Sequence, residues 1–158
     1  VMAEDLASAT AATDGEAVTS FKVYYPSALA EWVWNTKAGA WHRNQDGKPH
    51  TDAVDGSAIS TTNVVVMRVK VDRQYGHVPK DLVIGTGTAT VFTDGKMVKG
   101  TWSKASQTAP IVLNDAVGNP VLLKPGNTWV ELMPKAPEGS IKIVETPKPK
   151  PTPSATKK

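Results

Sequence analysis

The chain has 158 residues, a net charge of +3, 40% hydrophobic residues and no cysteine. That length predicts one domain, large enough to bury a real core. The missing thiols exclude a disulfide framework, a zinc–thiolate site and thiol catalysis. No apolar run approaches the ~20 residues of a membrane-spanning helix.

Charge is unevenly spread. Residues 1–20 hold four acids and no base, and residues 147–158 hold four lysines and no acid. Without those last residues the balance is −1. Nucleic-acid domains carry a folded basic face rather than a basic tail, so nucleic acid is not expected as a partner.

In chain order, residues 1–17 are small, polar and acidic and read as a flexible leader. They lack the basic start of a signal peptide, so export would require a signal removed from, or lying outside, this sequence. Alternation of apolar and polar residues then predicts strands at Val18–Tyr25, Glu31–Asn35 and Trp41–Gln45. A polar loop with Asp-Gly turn signals follows over Asp46–Thr62. Asn63–Val71 (NVVVMRVKV) is apolar on both faces in its first half and reads as a central strand. Leu82–Phe92 and Lys96–Lys104 flank Asp94-Gly95, the clearest hairpin turn in the chain. Short strands are predicted at Ile111–Asn114, Val121–Leu123, Thr128–Met133 and Ile141–Val144. A short helix is expected near Ser27–Ala30 or in the Lys104–Thr108 loop. Thr146–Lys158 (TPKPKPTPSATKK) alternates Pro with polar residues and reads as a disordered spacer. The expected fold is all-β, an antiparallel sandwich or partly open barrel of about nine short strands with little helix. Its single domain spans residues 18–145.

No catalytic constellation stands out. Gly85-Thr86-Gly87-Thr88 lacks a third glycine and a following helix, so it reads as a strand with glycine at tight-packing points. His50-Thr51-Asp52 brings two side chains to one face of an extended segment. They could form a base and its orienting carboxylate, or two of the ligands a metal needs. The remaining histidines, His42 and His77, lie in unrelated segments, so neither metal nor cofactor is expected. The segment Arg43–His50 is dense in hydrogen-bonding groups. It reads as a solvated hairpin end or, beside Trp41, as a recognition loop. Trp102, before Lys104, and Trp129 each read as a core plug or as part of a groove.

Several stretches occur together in a particular order. They are Trp41–Ala53 (WHRNQDGKPHTDA), Asn63–Val66, Gly85–Gly87, Phe92–Lys96 (FTDGK), Gly100–Lys104 (GTWSK), Thr108–Pro110 and Pro125–Glu131 (PGNTWVE). This series resembles the C-terminal domain of the YerB-like lipoproteins, a bacterial cell-envelope family of unknown function. The match covers about Phe21–Pro134 and leaves the family's larger N-terminal domain without a counterpart. The resemblance implies an exported protein, membrane-anchored or wall-associated, most often in Gram-positive bacteria. It implies no activity and no catalytic residues.

The expected function is therefore a non-catalytic extracytoplasmic binding or scaffolding domain, with a cell-wall polymer or another envelope protein as partner. Membrane attachment is expected only through an anchor outside this chain. Trp41, Arg43, Lys48, His50, Asp52, Trp102 and Lys104 form the expected contact set. The rival readings are an envelope hydrolase or transferase using His50 and Asp52, and a purely structural accessory domain of a longer protein.

Overall fold

The computed structural model describes residues 9–74, 76 and 78–147. One short helix, α1 (Thr10–Asp14), precedes the strands. These are β1 (Glu16–Tyr24), β2 (Leu29–Asn35), β3 (Ala40–Gln45), β4 (Lys48–Pro49), β5 (Ser60–Thr61), β6 (Asn63–Asp72), β7 (Lys80–Leu82), β8 (Gly85–Thr93), β9 (Lys96–Lys104), β10 (Val112–Asp115), β11 (Thr128–Pro134) and β12 (Ser140–Glu145). Among the described residues, no helix is long and apolar enough to cross a membrane, which says nothing of strands.

The strands run in the order β11-β6-β8-β9-β1-β2-β3-β4, curled into a half-barrel. β1 is the corner. Its first residues, Glu16 and Ala17, pair with β9, and the rest of it lies between β2 and β12. A register irregularity between Val18 and Ser20 falls where the strand changes partners. Irregularities of this kind bend a strand and increase its twist, as a curled sheet requires.

The apolar pattern of β6 follows from its place between two cores. Val64 and Val66 face the hollow of the half-barrel, packed with Phe21, Trp32, Trp41 and Phe92. Val65, Met67 and Val69 face the opposite side, with Val91, Trp102 and Leu113. A strand covered on both faces has no polar side to show, and so it loses alternation.

Two of the four Asp-Gly pairs make tight two-residue hairpins. Asp94 and Gly95 take φ 54° and 67°, and Asp46 and Gly47 take 50° and 80°. Two consecutive positive φ values define the tight turn whose twist matches antiparallel strands. Gly95 carries a second constraint, because a Cβ there would lie 2.8 Å from the Trp34 indole. Gly87 is explained by packing alone: a Cβ would lie 2.4 Å from the Arg68 carbonyl oxygen and 2.6 Å from Trp102 Nε1. The Gly-Thr-Gly segment is thus a strand that lets an indole lie across it.

The all-β expectation holds, and the strand ranges are close. Several details differ. The sheet contains one parallel pair, β11 with β6; the long excursion through residues 116–127 carries the chain back to run alongside β6. Val121–Leu123 forms no strand: Val121 plugs the second core, beside an isolated bridge from Asn114 to Pro120. The supposed loop 46–62 contains β4 and β5. No helix forms at Ser27–Ala30 or Lys104–Thr108; the helix lies in the stretch read as leader. There Ala9 and Ala11 are buried, and Thr10 bonds Leu122 through both its backbone N–H and its hydroxyl. Residues 9–17 therefore belong to the fold, because small alanines fit a shallow slot that needs no amphipathic stripe. At the other end, Thr146 N–H donates to the Ala17 carbonyl. Most of the Pro-Lys tail, residues 148–158, lies outside the described residues.

Candidate functional site

β11 extends the sheet beside β6, with alternate residues Trp129, Glu131 and Met133 turned toward the first core. Glu131 is thus a carboxylate at a core position, only 5% exposed. Three donors meet it. Trp32 Nε1 and Arg43 Nε reach Oε1 at 3.0 and 3.2 Å, and the Tyr25 hydroxyl reaches Oε2 at 2.5 Å. A buried carboxylate costs several kcal/mol unless its charge and lone pairs are matched; here Arg43 matches the charge and all three donors satisfy the oxygens. The guanidinium also lies over the Trp32 and Trp129 rings, 5.8 and 5.2 Å from their centroids. Cations held over indole faces gain about 0.5–2 kcal/mol. Burial, then the hydrogen bond to Glu131 and its charge, push the Tyr25 phenol far above its ordinary range.

The same guanidinium reaches outward. Arg43 Nη1 contacts His50 Nδ1 at 2.7 Å, and the His50 ring meets Trp129 edge-on. Arginine only donates, so Nδ1 is the acceptor and the neutral ring carries its proton on Nε2. The backbone holds this geometry: His50 N–H donates to the Arg43 carbonyl, Ile59 N–H to His50 and Arg43 N–H to Ile59. His50 and Trp129 are both half-buried. They are the outer surface of a stack whose inner end is Glu131.

Asp52 faces elsewhere. Its carboxylate accepts from the Val54 N–H at 2.7 Å, and its backbone bonds Ser57 and Gly56. No hydrogen bond joins it to His50, so the base–carboxylate pair of the rival hydrolase reading does not form; the Asp52 carboxylate closes its own turn instead. Lys48 follows the Asp46-Gly47 turn and is exposed. Asp46 anchors that turn to β2. The Leu29 N–H, then the Gln45 amide, donate to its carboxylate and hold it below the usual carboxylate range.

The remaining expected contacts do not join this surface. Trp41 is fully buried in the first core, and its Nε1 has no acceptor there. Trp102 is buried in the second core and donates to the Arg68 carbonyl at 3.0 Å. The β6–β8–β9 layer separates the two indoles, so they share no concave face, and Trp102 and Trp129 line no common groove. Lys104 donates to the Gln107 and Ala109 carbonyls, fastening the loop that follows it. Sequence reasoning thus brought Arg43, Lys48, His50 and Asp52 into one segment, weighed Trp129 only as a core plug or part of a groove, and missed Glu131 and Tyr25. One signal was available: in TWVELMP, strand alternation places Glu131 on the same face as a Trp and a Met. Among the described residues, no group of three or more His, Asp or Glu is placed to hold a metal ion.

The chain is thus an all-β half-barrel domain with a buried Glu–Arg–Tyr cluster against its first core. Residues 21–130 match the family described as "Protein of unknown function (DUF3048) C-terminal domain", and the chain belongs to that family. The crystal structure of YerB protein from Bacillus subtilis is similar, with a TM-score of 0.68 over 82% of this chain at 20% identity. The chain spans only 45% of that protein's length. None of the curated proteins matches it. The resemblance read from the sequence is thus borne out in family and fold.

Proposed function

We propose that this domain is a non-catalytic binding or scaffolding module of an extracytoplasmic bacterial envelope lipoprotein, its partner a cell-wall polymer or another envelope protein. One observation carries the non-catalytic reading: the acid–base groups are already engaged with one another. The lone pair of His50 Nδ1 is taken by Arg43, Nε2 carries the proton, and Glu131 is enclosed by three donors. A general base needs a free lone pair within reach of substrate. What the cluster offers outward is Trp129 and the His50 Nε2–H, beside the exposed Lys48 of the same hairpin. An aromatic plane beside fixed hydrogen-bonding groups suits a glycan or an extended peptide.

Lipoprotein character, location outside the cytoplasm and a Gram-positive source rest on the family resemblance. Sedimentation with purified wall fragments, and capture from detergent-solubilised envelopes, test the reading. The wild-type protein is expected to be retained, and a Lys48→Ala/His50→Ala double variant to lose about tenfold in affinity, as when one or two good polar contacts are removed. Equal retention of both would discard this surface.

A further inference from the structure

Beyond Tyr25, which lines one of its clefts, the surface around β7 combines exposed apolar side chains with several cations. Three clefts of about 220, 310 and 400 Å³ adjoin there, the first sharing Asp81 with the third and Val71 and Glu138 with the second. Val78, Leu82 and Ile84 are 69%, 37% and 54% exposed. Leu82 and Ile84 together line the 400 Å³ cleft, and Val78 precedes Pro79, which lines the 220 Å³ one. Single exposed apolar residues are ordinary, but several of them at and beside a cleft mark a contact surface. The cleft walls also carry Lys70, Arg73, Lys80, Lys104 and Lys135, against two acids, Asp81 and Glu138. Glu138 is already ion-paired with Arg73 at 2.8 Å.

We propose that this end of the domain rests on an anionic lipid surface, with Val78, Leu82 and Ile84 entering the headgroup region and Lys70 and Lys135 meeting lipid phosphates. This departs from the sequence expectation of membrane contact only through a separate anchor. The exposed apolar residues decide between lipid and a soluble polyanion. A dissolved polyanion gains nothing from exposed Val and Ile, whereas a bilayer interface removes them from water. Each cation near an anionic leaflet raises binding about fivefold, and salt screens that gain.

The test uses the full chain and sedimentation with two kinds of vesicle, phosphatidylcholine alone and phosphatidylcholine with about one-third phosphatidylglycerol. Wild type is expected to bind the anionic vesicles and not the neutral ones. Val78→Ser/Ile84→Ser is expected to bind about tenfold more weakly, and Lys70→Glu/Lys135→Glu weaker still, with unchanged circular dichroism and Tm. Because the chain has no cysteine, an environment-sensitive fluorophore on Ile84→Cys gives an independent readout. It is expected to shift blue on anionic vesicles, while the same label on Val117→Cys, at an exposed turn, does not. Undiminished binding of the serine variant, or no blue shift at position 84, would show attraction by charge alone and overturn the proposal. So would absence of wild-type binding. The wall-fragment experiment concerns the His50 face and is read separately, so either result can fail without the other.

Discussion

Glu131 concentrates the energetics of the molecule in one side chain. Removing one partner of a buried ion pair leaves the other charge uncompensated, which costs about 3–5 kcal/mol. Glu131→Ala is therefore expected to lower stability by that amount in urea unfolding, whereas Glu131→Gln, which keeps an acceptor, is expected to cost less. Tyr25 supplies a pH dependence with a definite sign. Its folded-state pKa is raised, so the folded state holds the proton where the unfolded chain releases it. The stability this contributes is complete below the ordinary value of 10.0 and is lost as pH rises above it. Tyr25→Phe removes the hydrogen bond and is expected to cost about 1–3 kcal/mol at neutral pH. The gap between wild type and variant should narrow above pH ~10 when urea midpoints are followed into alkali. A gap that stayed constant would mean that the phenol does not hold its proton against the carboxylate.

At the scale of elements, glycines and turns fix the half-barrel. Gly87→Ala must displace both the Arg68 carbonyl and the Trp102 indole. A backbone atom cannot yield cheaply, so a loss of about 1–3 kcal/mol is expected, measurable as a lower Tm. These features also show what was legible beforehand. The Asp-Gly hairpin between β8 and β9 could be read because local turn chemistry decides it. The doubly apolar start of β6 could be read because burial on both faces leaves its mark on every residue. The parallel pairing of β11 with β6 could not, since no local pattern encodes which distant strand lies alongside. Trp41 and Trp102 were misplaced for a related reason. Alternation tells that an indole faces one side, but not that both sides of this sheet are covered. Of the candidate site, the Arg43–Asp52 hairpin was visible from its density of polar groups. Glu131, Tyr25 and Trp129 come from β11 and the end of β1, and only the curl of the sheet brings them to Arg43.

For the whole molecule, the boundary of the folded unit lies earlier than the leader-like composition implied. Residues 9–14 bury Ala9 and Ala11, bond Leu122 and accept from Lys96 Nζ at the Ala12 carbonyl. Deleting residues 1–15 is expected to lower Tm by several degrees, given about 1–2 kcal/mol for the lost burial and hydrogen bonds; deleting 1–8 keeps all of these contacts. The chain carries two outward surfaces with different chemistry, an aromatic and polar face at His50 and a cationic, apolar end at β7. The central claim is that the first of these binds without reacting. Heteronuclear NMR of the labelled full chain, titrated with soluble wall fragments, tests it most directly. Binding at this site predicts shifts in the Lys48, His50 and Asp52 amides and the Trp129 indole N–H, with the fragments recovered intact. Shifts confined to other surfaces, or fragments cleaved by wild type but not by His50→Ala, would contradict it.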